Sequence, residues 1–156
     1  TIIVEPAGGL KPVDKEFQIT ESEFYTKEGY SKGETMEFSY EAGLDETPSP
    51  VVFNGHAKSL VKNPLRAKAG ETVRIFVTNP GPNFVDSFQL LEQPFDRVYT
   101  EGSLTAPPAE NVKIAKVPAG GAVVVEFKVK TAGTYTLVDP VKNRKDIGAL
   151  GLLKVD

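Results

Sequence analysis

Three features of the 156-residue sequence predict an all-β fold, a Greek-key β-sandwich with an extended N-terminal arm. Short runs rich in Val, Ile, Phe and Thr recur along the chain, and these residue types suit a pleated, half-buried surface. The 14 Gly and 12 Pro fall largely between those runs, where tight turns must join strands spaced roughly eight to twelve residues apart. In the clearest segments apolar and polar residues alternate with a period of two, so that successive side chains face opposite sides of a strand.

In chain order, residues 1–49 read as an arm and connection packing on the domain, and residues 50–156 as the sandwich, the two forming one structural domain. The arm opens with a short apolar strand over 2–4, turns at Pro6, Gly8 and Gly9, and continues through 17–25 with loose alternation. Residues 27–50 carry mixed charge and three glycines; Met36, Phe38 and Tyr40 stand at strand spacing, predicting a long surface connection with one short strand. Val51, Val52 and Phe53 run into Asn54-Gly55, a strong turn signal.

After the turn at Ala69-Gly70, Val73, Ile75 and Val77 alternate with Thr72, Arg74, Phe76 and Thr78 as a half-buried strand, which Asn79-Pro80-Gly81-Pro82 stops. Residues 84–91 and 95–99 are the next two strands, and the Pro-rich stretch 101–110 reads as a loop. Alternation resumes over 111–117. Residues 118–121 turn the chain, and Val123, Val125, Phe127 and Val129 then share one face of the clearest strand in the sequence. Residues 136–139, a basic loop over 142–145 and a closing strand over 149–155 complete the chain.

Composition excludes several classes of function. A formal charge of −3 with acids and bases interspersed lacks the basic stripe that a phosphate backbone selects, so no nucleic-acid partner is expected. No stretch reaches the roughly 18 apolar residues of a membrane span. The absence of Cys removes disulfides, zinc ribbons and every copper centre that needs a thiolate. A start at Thr1, with no leader-like segment, fits a mature protein exported to a periplasm-like compartment after removal of its signal peptide.

Gly133-x-Tyr135-x-Leu137 feeds an aromatic and an apolar residue into the core; a Tyr at such a corner commonly ties its hydroxyl back to backbone in Greek-key sandwiches. Much longer matches run beside it: Ile3-Val-Glu-Pro6, Val13-Asp-Lys-Glu-Phe17, Phe24-Tyr-Thr-Lys27, Val51-Val-Phe-Asn-Gly55, Lys68-Ala-Gly-Glu-Thr-Val-Arg74 and Asn79-Pro-Gly-Pro-Asn-Phe-Val85. They continue through Ser87-Phe88, Phe95-Asp96, Pro118-Ala-Gly-Gly121, Glu126-Phe-Lys-Val129, Tyr135 to Asp139 and Gly148 to Val155. On these residues the chain resembles, over nearly its whole length, the second, C-terminal cupredoxin domain of the copper-containing nitrite reductases.

The resemblance implies a cupredoxin-like sandwich and a place for copper chemistry, and three positions then stand out. Asp139 occupies the place of the cupredoxin Cys. The family's type 2 copper, held between subunits of a trimer, takes one His from this domain, and Pro140 stands there, with no lone pair to offer a metal. The family's proton-donating His is replaced by Gln89, which does not titrate near neutral pH. A type 1 centre needs a thiolate and two imidazoles, whereas this chain has no Cys and only His56 and Met36. No cofactor is therefore expected.

Other constellations are weaker. His56 beside Gly55 reads as a surface turn residue. Asp86, Glu92, Asp96, Glu101 and Asp139 are available for a carboxylate pair, but sequence does not show which two converge, and no D-x-D-x-D-G run marks a calcium loop. Lys142, Arg144 and Lys145 form a basic cluster that reads as a solvated loop or as a contact for an acidic partner. Among the aromatics of two neighbouring strands, Phe84 and Tyr99 are candidates to anchor an interface.

These readings lead to a non-enzyme. The expectation is an accessory or assembly subunit that contacts other proteins, in or beside a nitrite-handling respiratory complex, with a larger redox enzyme or further copies of itself in a homotrimer as partners. The alternative is the second-domain part of a copper nitrite reductase-like enzyme, inactive alone. A soluble electron carrier fails for want of a redox centre.

Overall fold

The computed structural model describes residues 1–29, 35–141 and 144–156. Among these residues eleven strands form two sheets that pack face to face. The first contains β1 (Lys15–Glu23), β2 (Val51–Phe53), β4 (Thr72–Thr78), β6 (Phe95–Tyr99), β7 (Ala109–Val112) and β9 (Ala122–Lys128), in the order β2-β1-β4-β9-β6-β7. The second contains β3 (Leu65–Ala67), β5 (Asp86–Leu90), β8 (Ile114–Val117), β10 (Gly133–Val138) and β11 (Leu150–Val155), in the order β3-β11-β10-β5-β8. The all-β, cupredoxin-like sandwich expected from the sequence is the fold observed.

Alternation places the core. Phe53 and Phe95 from the first sheet meet Phe88 from the second: Phe88 stacks on Phe95 with centroids 5.8 Å apart, Phe53 lies edge-on to Phe88 at 5.9 Å, and Phe127 packs against Phe95 at 5.7 Å. Such ring geometries add a little beyond the area they bury. Tyr135 is in the core as the corner motif predicts, and its hydroxyl donates to the Thr131 carbonyl at 2.9 Å.

The arm is built into the first sheet, since β1 runs parallel to β4 with Lys15 opposite Val73 and Thr20 opposite Thr78. Residues before it also cover the outer face of that sheet. Asp14 exchanges hydrogen bonds with Thr72, and the Lys11 carbonyl accepts from Arg74. For this reason β4 is not half-buried as alternation alone predicts: Arg74 and Phe76, on its outward face, are buried as well. Arg74 also meets Glu126 at 2.6 Å and Glu16 at 2.6 Å, while Glu126 reaches Arg97 at 3.6 Å.

Three local expectations need correction. Residues 2–4 form no strand, and Ile2 and Val4 are exposed. Met36, Phe38 and Tyr40 do not make a strand either: Phe38 forms one isolated bridge with Thr26, and a short helix, α1 (Tyr40–Leu44), follows. Ser39 caps that helix by accepting from the Ala42 N–H at 3.1 Å, satisfying a donor that the first turn leaves free. Residues 111–117 are not one strand: β7 already begins at Ala109, in the stretch read as a loop, and positive φ at Asn111 precedes a break at Lys113 that carries the chain from the first sheet to the second.

Candidate functional site

Three carboxyl groups and one guanidinium converge where the arm strand, β5 and the end of β10 meet. Glu21 lies on β1, whose inward face runs Phe17, Ile19, Glu21, Glu23 by strict alternation. Asp86 opens β5 and Asp139 follows β10. Ligand oxygens of these three buried side chains lie within 4.8 Å of one another. Arg144, in the segment that ends at Gly148, lies over them. Gly148 allows the exit of that segment: its φ is +138°, and a Cβ there would sit 2.6 Å from the Val51 carbonyl oxygen, far inside contact distance and in a backbone region that glycine alone enters freely.

Arg144 Nη1 meets Asp139 Oδ2 at 2.6 Å and Asp86 Oδ1 at 3.2 Å, and its guanidinium lies 4.5 Å from the centre of the Phe84 ring. Asp139 is well satisfied, since it also accepts from the Ser87 and Val141 N–H groups. Glu21 is not: among the described residues no N–H or O–H donor reaches either of its oxygens, and the groups beside it are the Asp139 and Asp86 carboxyls, within 4.8 Å. Asp86 Oδ2 and Arg144 Nε are likewise unpartnered. Burial, reinforced by Asp86 and Asp139, holds Glu21 well above the usual carboxylate range despite Arg144. Burial and then Asp139 push Asp86 up to about 8.

This geometry corrects the reading of the basic loop. Arg144 is not solvated; it is 4% exposed and faces inward. Lys145 is exposed, and Lys142 lies outside the described residues. Phe84 and Tyr99 are half-buried. Among the described residues the most exposed aromatics are instead Phe38 and Tyr40, which with Phe24 and Leu44 line an apolar groove of about 520 Å³ over Tyr25, Glu23 and Asn83. At its floor the Tyr25 hydroxyl donates to Glu23, whose other oxygen accepts from the Asn83 and Phe84 N–H groups.

Of the five acids considered from sequence, Asp86 and Asp139 converge. Glu92 instead accepts from Thr136 and Asp96 from the Lys128 N–H. Glu21 was missed, although the parity of Phe17 and Ile19 on β1 points to it. Gln89 is buried on β5 between Ile114 of β8 and Val138 of β10, and Pro140 is exposed. His56 is exposed, with Nδ1 2.7 Å from the Ala57 carbonyl oxygen. A copper centre of the kind the resemblance implies does not fit these side chains: the converging groups are hard carboxylates beside an arginine, whereas copper sites draw on imidazole and thiolate.

No protein-family model matches the chain. A copper-containing nitrite reductase from Neisseria gonorrhoeae is 48% identical over 157 residues, an alignment covering 99% of this chain and 40% of that protein. Among solved structures, a copper-containing nitrite reductase from Thermus scotoductus SA-01 superposes with a TM-score of 0.81 at 26% identity over 94% of this chain and 32% of its own. A copper nitrite reductase from Nitrosomonas europaea gives 0.79 at 25% identity, with 94% and 50% covered. The expectation of a non-enzyme is overturned by these likenesses, which lead to an enzyme family, and the chain spans less than half the length of the curated relative. Sequence and fold together relate it, over nearly its whole length, to the C-terminal cupredoxin-like domain of the copper-containing nitrite reductases.

Proposed function

We propose that the chain serves as the C-terminal cupredoxin domain of a copper nitrite reductase-type enzyme, acting within a larger polypeptide or assembly. The observation that carries this reading is the coverage: 48% identity runs through 99% of this chain but 40% of the relative. Its contribution is framework and contact surface. Copper and its ligands lie outside the 156 residues, because the positions that the resemblance assigns to the type 2 copper ligand and the proton donor are Pro140 and Gln89. The 50–156 sandwich, with the 1–49 arm packed on it, meets a first cupredoxin domain and further copies of the enzyme, in an extracytoplasmic compartment. Lys145, Phe84 and Tyr99 belong to the contact surface. No helix among the described residues is long and apolar enough to cross a membrane.

Purification from the native source tests this directly. The chain is expected in a species larger than 16.9 kDa that contains copper and reduces nitrite, while the 156 residues expressed alone take up no stoichiometric copper and turn nothing over. Copper bound stoichiometrically by the isolated chain, or a native assembly with neither copper nor nitrite turnover, would sink the reading.

A further inference from the structure

We propose that Glu21, Asp86, Asp139 and Arg144 form a proton-operated clasp: at neutral pH Glu21 and Asp86 are carboxylic acids, Asp139 is the charge paired with Arg144, and loss of the two protons weakens the hold of Arg144 on Asp86 and Asp139 and with it the stability of the fold. The proposal stands independently of the enzyme reading.

Its basis is an imbalance of charge in a dry place. If all four groups were ionised, three negative charges would face one positive charge, with Glu21 and Asp139 fully buried. Isolated buried charges neutralise by shifting their protonation. Two protons bring the cluster to neutrality. The contact pattern shows where they go: two carboxyl groups hydrogen-bond only through a shared proton, and Glu21, which no donor reaches, has Asp139 as its neighbour. Asp139 meanwhile accepts from two backbone N–H groups and from Arg144, the environment that favours a carboxylate.

Among the described residues, the charged groups facing the cluster are few. From β1 come Glu21 itself and Glu23, which opposes ionisation of Asp86; β5 supplies Asp86, the end of β10 Asp139, and the chain before Gly148 Arg144. Lys116 on β8 donates instead to the Ser87 hydroxyl, and β2 brings Val51, Val52 and Phe53. A divalent cation would also neutralise the cluster. However, Arg144 already engages Asp86 Oδ1 and Asp139 Oδ2, and the Val141 N–H engages Asp139 Oδ1; the three carboxylate oxygens left, two on Glu21 and one on Asp86, fall short of the roughly six to eight that calcium takes.

Linkage sets the sign. Between the ordinary aspartate value of 3.8 and its folded value of about 8, Asp86 holds a proton in the folded chain that the unfolded chain has released. Glu21 behaves in the same way above its ordinary value of 4.5. Stability therefore falls as pH rises, by up to about tenfold in the folded-to-unfolded ratio per pH unit for each extra proton held.

Infrared difference spectroscopy reads the protons themselves. At pH 7 the wild-type chain is expected to show a carboxylic-acid C=O stretch that shifts in D₂O, weakens in Glu21→Gln and disappears in the Glu21→Gln/Asp86→Asn double variant. Urea unfolding from pH 5 to pH 8 is expected to lose one proton's worth of pH slope in each single variant. A wild-type spectrum without any acid C=O stretch at pH 7 would overturn the proposal. So would a stoichiometric divalent metal in protein purified without chelator, if Glu21→Gln abolishes it.

Discussion

Two buried arginines, one on each side of the first sheet, solve the same problem differently. Arg74 is matched: with Arg97 it offers two positive charges to Glu16 and Glu126, and its remaining donor capacity goes to the Lys11 carbonyl. Arg144 is outnumbered, with three carboxyl groups and an unpartnered Nε. Glu16 is half-exposed, so water shares the load on the Arg74 side, whereas nothing in the Arg144 cluster has more than slight contact with solvent. A buried arginine thus behaves as a simple strut only where its partners equal it in charge or reach water. Where they do not, protons must make up the difference.

Removing each arginine tests this contrast most strongly. Arg144→Met is expected to destabilise the chain by about 3–5 kcal/mol, because it strands a buried Asp139 without its ion partner; urea unfolding measures it. Arg74→Met should cost less, about 2–3 kcal/mol by the same measurement, because Arg97 stays near Glu126 and Glu16 can turn to solvent. Equal losses would show that charge balance does not distinguish the two sites. At the small end, Glu16→Gln should change stability by less than about 1 kcal/mol, as half-exposed ion pairs do. A larger loss would mean that the Arg74 side also depends on every one of its charges.

The same contrast marks how far the sequence can be read. The alternating runs around Val73–Val77 and Val123–Val129, and the Gly-x-Tyr corner, foretell the sandwich because period-two patterning and turn chemistry are local properties. Burial of Arg74 and Phe76 is not foretold, since it depends on residues 1–14 lying over the outer face of β4. Lys142, Arg144 and Lys145 look alike in a basic run, yet Arg144 turns inward. Its partners there are Asp139 and also Asp86, 58 residues away along the chain.

The candidate site shows the same division. The lack of Cys can be read without coordinates, because the capacity to supply a thiolate belongs to the side chain itself. Glu21 was legible only in part: it shares strand parity with Phe17 and Ile19, but an acid at that parity normally signals the end of a buried face. Phe38 and Tyr40 stand at strand spacing, yet Ser39 caps a helix there and leaves them exposed.

Residue order is enough to establish the β-class, the turn positions, the kinship with nitrite reductase domains and the absence of thiolate chemistry, because each rests on residue identity or near-neighbour spacing. Folding is needed to bring Glu21, Asp86, Asp139 and Arg144 together from β1, β5, the end of β10 and the segment after it. The protonation of that cluster depends on exclusion of water and on distances between charges, and neither exists until the two sheets close.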